Sequence, residues 1–321
     1  MTTPLTRRQM LQTTAIATGL TLLPGPLRAD DAPRSRQRRV RIAHLTDTHI
    51  QPERGAVQGV IAALHHAQGL TDPPELIISG GDTIMDALAV SRDRTKLQWE
   101  LWQQVIRDEC SLPVESCLGN HDVFGWDKQA SGTTGQEAEW GKRWACEVFG
   151  RDKTYGSFDR AGWHFVMLDS IAPHEQRVYE GRLDDEQFAW LQADLAAAPA
   201  TMPVLVVSHI PIVSATVLAG NPKQNADRDF VIPSQLMHSD LPRLRDLFWK
   251  YKNVKLCLSG HIHLVDRVDF DGVTYLCNGA VSGAWWKGDH RHTKAGYGLV
   301  DLYDDGTFQH QYVDYGWRHQ A

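Results

Sequence analysis

Zinc-ribbon cysteines are missing from this sequence. The five cysteines present, Cys110, Cys117, Cys146, Cys257 and Cys277, include no C-x2-C pair, which excludes a thiolate zinc site of the usual spacing. A basic excess is missing too. Lys and Arg number 33 against 39 Asp and Glu, a net charge of −6 with histidine neutral. Nothing is left over to neutralise the phosphates of a nucleic-acid polymer, so no such partner is expected. A good membrane span is the third absence, because the apolar stretch near the N-terminus is short and threonine-rich. What remains is ordinary for a globular protein: 42 % apolar and 22 % charged residues over 321 positions, enough for a sizeable core.

The N-terminus reads as a processing segment. "TRRQMLQTTAIATGLTLLPGPLRA" runs from a basic patch through a modest apolar stretch to small residues, the layout of a secretory signal. Arg7 and Arg8, with Met10 and Leu11 just beyond, resemble a twin-arginine signal, an address read by export machinery rather than an anchor. The expected organisation is a signal over residues 1–29, a polar linker over 30–39 and one domain over 40–321. The expected location is periplasmic or extracellular, with no membrane span after processing. An oxidising compartment permits a disulfide, with Cys257 and Cys277 as one candidate on neighbouring strands; an odd count leaves at least one thiol unpaired, and most of the five read as small apolar core residues.

One arrangement then repeats along the chain. A short apolar run ends and a polar cluster follows at once. "VRIAHL" leads to Asp47 and His49, "ELIISG" to Asp82, and "PVESCL" to Asn120, His121 and Asp122. "PVLVVS" leads to His209, and "VKLCLS" to His261 and His263. The runs read as buried strands. Helical spacing separates them: Val57, Val60, Ile61 and Leu64; Leu97, Leu101 and Val105; Phe188, Leu191 and Leu195; Leu241, Leu244 and Leu247. Strands alternating with helices predict an α/β fold with mostly parallel strands. Ligands bind such sheets beyond the carboxyl ends of the strands, and every cluster sits there. A single Asp or His after a strand is ordinarily a cap or a turn residue; five metal-capable clusters in series point to convergence. The remaining histidines, among them His65, His66, His290, His292, His310 and His319, lack that context and read as surface or core.

The ordered set D-x-H, G-D, G-N-H-D, H and G-H-x-H resembles the calcineurin-like metallophosphoesterase family over residues 40–265, in particular its class III cyclic-nucleotide and glycerophosphodiester branch. The resemblance implies a four-layer α/β/β/α sandwich with two mixed β-sheets and a dinuclear metal site at the strand carboxyl ends. It implies one ion on Asp47, His49, Asp82 and His263, and a second on Asn120, His209, His261 and the bridging Asp82. Nitrogen and oxygen donors suit manganese, iron or zinc better than magnesium or calcium. Two ions about 4 Å apart can clamp both oxygens of an in-line displacement, with a shared water as nucleophile. His121, a non-ligand, would serve the leaving group as acid, with Asp122 orienting its imidazole. "GDTIMDAL" has no tyrosine after the aspartate, unlike the purple acid phosphatase branch. The implied activity is an exported phosphodiesterase acting on small phosphate esters. The alternatives are a phosphomonoesterase of the same fold and a non-catalytic metal-bearing binding protein.

Softer expectations concern the surroundings. Asp271-Gly272 is expected to turn a hairpin, and Trp285 and Trp286 either wall the substrate groove or pack on the sheet. Residues 123–160 and 214–238 break the strand–helix rhythm and are expected to be the binding loops.

Overall fold

A computed structural model describes residues 36–219 and 223–319; the segment expected to be a signal lies outside the described residues. In chain order the first elements are β1 (Arg38–Leu45), α1 (Ala56–Gln68), β2 (Leu76–Ser79), α2 (Arg92–Glu109) and β3 (Val114–Ser116). Then come α3 (Lys128–Ser131), α4 (Arg143–Phe149), β4 (Gly156–Arg160), β5 (Trp163–Met167), β6 (Ile171–His174), β7 (Val178–Gly181) and α5 (Asp185–Ala197). The last are β8 (Val204–Val207), α6 (Thr216–Ala219), β9 (Lys223–Gln224), β10 (Phe230–Val231), α7 (Leu241–Lys250), β11 (Val254–Ser259), β12 (Asp266–Phe270), β13 (Val273–Cys277), β14 (Gly296–Tyr303) and β15 (Phe308–Asp314). β1 therefore starts two residues inside the segment expected to be linker.

Two mixed sheets result. One has the order β15-β14-β1-β2-β3, the other β12-β13-β11-β8-β5-β4. Each has a parallel run that includes the strands feeding the site: β1, β2 and β3 in the first, and β5, β8, β11 and β13 in the second, of which β8 and β11 lead into it. Period-two alternation sorts their side chains into layers. Val40, Ile42, Leu76 and Ile78 of the first sheet meet Phe165, Leu205, Val207, Leu256 and Leu258 of the second in a core between the sheets. Ala43, Leu45 and Ile77 face outward onto α1 and α2. Val166, Val204, Val206 and Cys257 face outward onto α5 and α7. The expected four layers are thus present. Each fully buried Leu, Val or Phe contributes roughly 1.5–3 kcal/mol of transfer free energy.

Two local expectations change and one holds. The buried face of α2 is Thr95, Gln98, Trp99, Trp102 and Val105, and Leu97 is 40 % exposed. Tryptophan bulk, rather than the leucine spacing, sets which side turns inward. All five cysteines are free thiols. Cys257 stands opposite Tyr275, and Cys277 opposite Ser259, so the candidate pair is two residues out of register. Asp271 (φ 52°) and Gly272 (φ 84°) do form the turn between β12 and β13, where positive φ at both positions suits the Asp-Gly pair.

A surface feature on β5 has a pH consequence. The His164 ring contacts Asp159 Oδ1 through Nδ1 at 2.6 Å and Asp194 Oδ2 through Nε2 at 2.9 Å. Two carboxylates accept from both nitrogens, which favours the imidazolium. The Asp194 hydrogen bond raises the histidine pKa against partial burial, and Asp159 adds to it. A group whose pKa is higher folded than unfolded stabilises fully below its unfolded value, and that contribution fades as pH rises through the folded value. Urea unfolding at a series of pH values is therefore expected to show stability declining above the ordinary histidine range. In His164→Gln that part of the decline should be gone; superimposable pH profiles would dismiss the effect.

Candidate metal centre

The seven expected ligands come from the carboxyl ends of five strands. Asp47 and His49 follow β1, Asp82 follows β2, Asn120 follows β3, His209 follows β8, and His261 and His263 follow β11. Asp47, His49 and His209 are fully buried, and Asp82, Asn120 and His263 nearly so. Five of the seven hold left-handed backbone: Asp47 (φ 55°), His49 (φ 43°), Asp82 (φ 50°), His261 (φ 69°) and His263 (φ 58°). Residues with a β-carbon avoid this region, and clusters of such outliers mark functional sites. The tight turns bend each strand end inward over the sheet edge. Glycine permits the closest approach: a β-carbon at Gly119 would lie 2.1 Å from the Asp82 nitrogen.

The side-chain tips form two groups that share Asp82. In the first, His263 Nε2 lies 3.2 Å from Asp47 Oδ1 and 3.2 Å from His49 Nε2. In the second, His209 Nε2 lies 3.2 Å from Asp82 Oδ2, which is also 3.7 Å from His49 Nε2. Asp47, His49 and His263 can converge on one cation, and Asp82, His209 and His261 on another.

Carbonyl partners on the far side fix the ring orientations. His209 Nδ1 donates to Gly80 O at 2.9 Å, His261 Nε2 to Gln235 O at 2.9 Å and His263 Nδ1 to Gly283 O at 2.6 Å. A carbonyl only accepts, so each opposite nitrogen keeps its lone pair for the centre. Asn120 Oδ1, His209 Nε2 and His261 Nδ1 are buried with no hydrogen-bond partner among the described residues. Buried polar atoms without partners are rare and ask for an explanation. A cation at the second group would satisfy His209 Nε2 and His261 Nδ1, with Asn120 lining the same cleft, and one at the first would relieve the facing nitrogens of His49 and His263. The residues fit two metal ions.

The electrostatics agree. Burial lowers His49 to about 3 and His261 to about 4, leaving neutral imidazoles, the form that binds metal. At His209 burial lowers the pKa, but the Asp82 carboxylate, helped by Asp47, outweighs it and raises the value to about 9. Asp82 thus calls for positive charge at His209 Nε2, and a metal ion supplies it without the proton.

His121 and Asp122 part company. Asn120–Asp122 forms a 3-10 turn, in which successive side chains point about 120° apart. The Asp122 carboxylate accepts from the backbone nitrogens of Thr83, Ile84 and Gly119 at 2.8, 3.2 and 2.9 Å. It pins the Asp82 loop to the Asn120 loop and does not orient His121. The carboxylate facing His121 is Asp86, with Oδ1 3.7 Å from Nδ1, a charge contact rather than a hydrogen bond. Burial opposes the charged form of His121, but Asp82 and Asp86 together raise it to about 9. Asp86 stands in "GDTIMDAL", four residues after Asp82, and that carboxylate was the available signal in the sequence.

A cleft of about 350 Å³ opens over Asp82, Asn120, His121, His261 and His263. The 214–238 segment walls it with Thr216, Val217, Lys223, Val231, Pro233 and Leu236. The 123–160 segment contributes nothing to the lining and instead packs Phe124, Trp144 and Ala145 into the α1–α2 core. Tyr179 of β7 and His290 also reach the cleft; the flanking sequence of neither signals it. The tryptophan pair divides. Trp285 lines the cleft with its ring 4.3 Å from that of His263. Trp286 is fully buried and donates from Nε1 to His49 O at 2.9 Å.

Trp286 lies against Gly59 of α1, where a β-carbon would fall 2.0 Å from its ring. Gly59→Ala should therefore lower stability by about 1–3 kcal/mol through overpacking, although alanine favours a helix by about 1 kcal/mol. Thermal unfolding reads the change directly. A more stable variant would show that Trp286 can retreat without cost.

The two sheets of one four-layer sandwich deliver nitrogen and oxygen donors to two adjoining buried groups, an arrangement suited to metal-dependent hydrolysis. The sequence matches the family described as calcineurin-like phosphoesterase over residues 40–265. The chain belongs to that family, whose members carry a dinuclear metal site. Among known proteins it is 26% identical to a probable cyclic nucleotide phosphodiesterase from Synechococcus sp. over 84% of this chain and 90% of the relative. It is also 26% identical to a 3',5'-cyclic-nucleotide phosphodiesterase from Nostoc sp., with the same coverage. Among solved structures, a dimetal phosphatase from Danio rerio superposes with a TM-score of 0.55 at 13% identity, over 87% of this chain and all of that one; this likeness concerns the fold alone.

Proposed function

We propose that the protein is a dinuclear-metal phosphodiesterase that hydrolyses small phosphate esters. The observation that carries this is Asp82 set between two donor groups, the second ending in the partnerless atoms Asn120 Oδ1, His209 Nε2 and His261 Nδ1. The likeness to two relatives named as cyclic nucleotide phosphodiesterases supports the diester preference. Asp47, His49, Asp82 and His263 would hold one ion, and Asp82, Asn120, His209 and His261 the other; the donor chemistry favours manganese, iron or zinc. When bound, the ions supply Lewis-acid polarisation of the phosphoryl group and activation of water.

The chain's own residues supply the rest. Hydrolysis forms a P–O bond to the water oxygen and breaks the ester P–O bond, so the departing oxygen needs a proton. His121 borders the cleft, and the Asp86 charge beside Nδ1 favours its protonated form. Its Nε2 proton is the one available to the leaving oxygen. Tyr179 and Trp285 narrow the approach and limit bulk water.

The test is hydrolysis of bis-p-nitrophenyl phosphate beside p-nitrophenyl phosphate, after chelation and after adding back manganese, iron or zinc. Metal-restored activity with the diester favoured is expected; activity confined to the monoester would replace the reading with a phosphatase.

We propose also that the chain is exported, on the strength of Arg7 and Arg8 ahead of the apolar stretch. Changing both to lysine should leave precursor in the cytosol, and normal export of that variant would end the proposal.

A further inference from the structure

One wall of the cleft is more apolar than phosphate chemistry needs. Val217, Val231, Pro233, Leu236, Ile262 and Leu264 line it, in continuity with His261 and His263. Of these apolar residues, Val231 is 43 % exposed, and the exposed Leu218, Phe230 and Val265 adjoin lining residues in sequence. A cleft lined by apolar side chains with a few polar groups marks a binding surface. Parts of the chain far apart in sequence supply it, Val217 and 231–236 on one side and 262–264 on the other. Between them stands the site that would hold the phosphate.

The β9–β10 hairpin adds one polar feature. Its register sets Val231 directly opposite Lys223, and both side chains reach the cleft. A single ammonium therefore sits beside the apolar strip, suited to an anionic oxygen at the head of an apolar group. A glycerol or an unsubstituted sugar would leave the wall wet and its own hydroxyls without partners there.

We propose that the preferred substrates are phosphoesters with an extended apolar substituent, alkyl or aryl, which lies along Val217, Val231, Leu236 and Leu264 while the phosphate occupies the metal centre. The proposal rests on the phosphoesterase reading of that centre and deepens it by naming the substituent. Burial of each methylene on such a wall should raise kcat/KM by about two- to fourfold, following the transfer free energy of a CH2 group.

The test uses the metal-loaded, full-length protein and p-nitrophenyl phosphodiesters whose second substituent is methyl, butyl or octyl. The leaving group is constant, so only the retained group changes. A stepwise rise in kcat/KM with chain length is expected, and Leu236→Ser with Val231→Ser should bring the factor per methylene towards one. A flat or falling series in the unaltered protein would overturn the proposal. Calorimetric binding of methyl-, butyl- and octylphosphonate to the same protein reads the wall without any turnover. If no diester is cleaved and phosphonate affinity still climbs with chain length, the diester reading fails and the apolar wall stands. If diesters are cleaved and both series are flat, the wall proposal fails and the diester reading stands.

Discussion

Asp82→Asn is expected to leave a folded chain that retains neither metal ion at full occupancy and has lost on the order of 10³-fold in kcat/KM, about 4 kcal/mol of barrier. The size follows from position. Asp82 Oδ2 is 3.2 Å from His209 Nε2 and 3.7 Å from His49 Nε2, so one side chain serves both donor groups. Asparagine is a better probe than alanine for two reasons. It tolerates the left-handed backbone at this position (φ 50°), and its amide oxygen can still accept from the His121 nitrogen, which Asp82 Oδ1 now does at 2.8 Å. What is removed is the charge. Metal content by elemental analysis is the primary readout and turnover the second. A variant that keeps two ions and full activity would show that Asp82 does not bridge.

His121→Ala should behave in the opposite way, keeping its metal and losing rate. A positioned acid contributes typically 10²–10⁴-fold, and the loss should grow as the leaving group becomes a poorer one. With p-nitrophenolate little protonation is needed, and the variant should approach the unaltered protein; with alkyl leaving groups the full deficit should appear. Asp86→Asn should show the same trend more weakly, because it acts on His121 across 3.7 Å and not on the ester. A deficit independent of leaving group would remove both from proton transfer.

Much of this centre was legible in the sequence because the chemistry constrains residue type at strand ends. Asp, His and Asn after apolar runs needed only the parallel sheet to bring them together, and the runs themselves announced it. What failed to show was direction. Asp122 follows His121 in sequence, yet the 3-10 turn sends its carboxylate to three backbone nitrogens, and the partner is Asp86 from another loop. The two tryptophans are adjacent and go to different places, one to the cleft and one to the core. The two irregular segments both break the strand–helix rhythm, but only 214–238 reaches the site, since Phe124 and Trp144 draw the other into packing with α1 and α2. Cys257 and Cys277 sit on neighbouring strands, and only the register shows the two-residue offset.

The left-handed backbone at Asp47, His49, Asp82, His261 and His263 has a thermodynamic side. Each such conformation costs roughly 1–3 kcal/mol, and together they amount to a sizeable part of the roughly 5–15 kcal/mol by which a domain is stable at all. The centre is a spring loaded by the rest of the fold. Ions that bind only the native arrangement lower its free energy with their concentration, so a chain loaded at these residues should be more stable than the metal-free one.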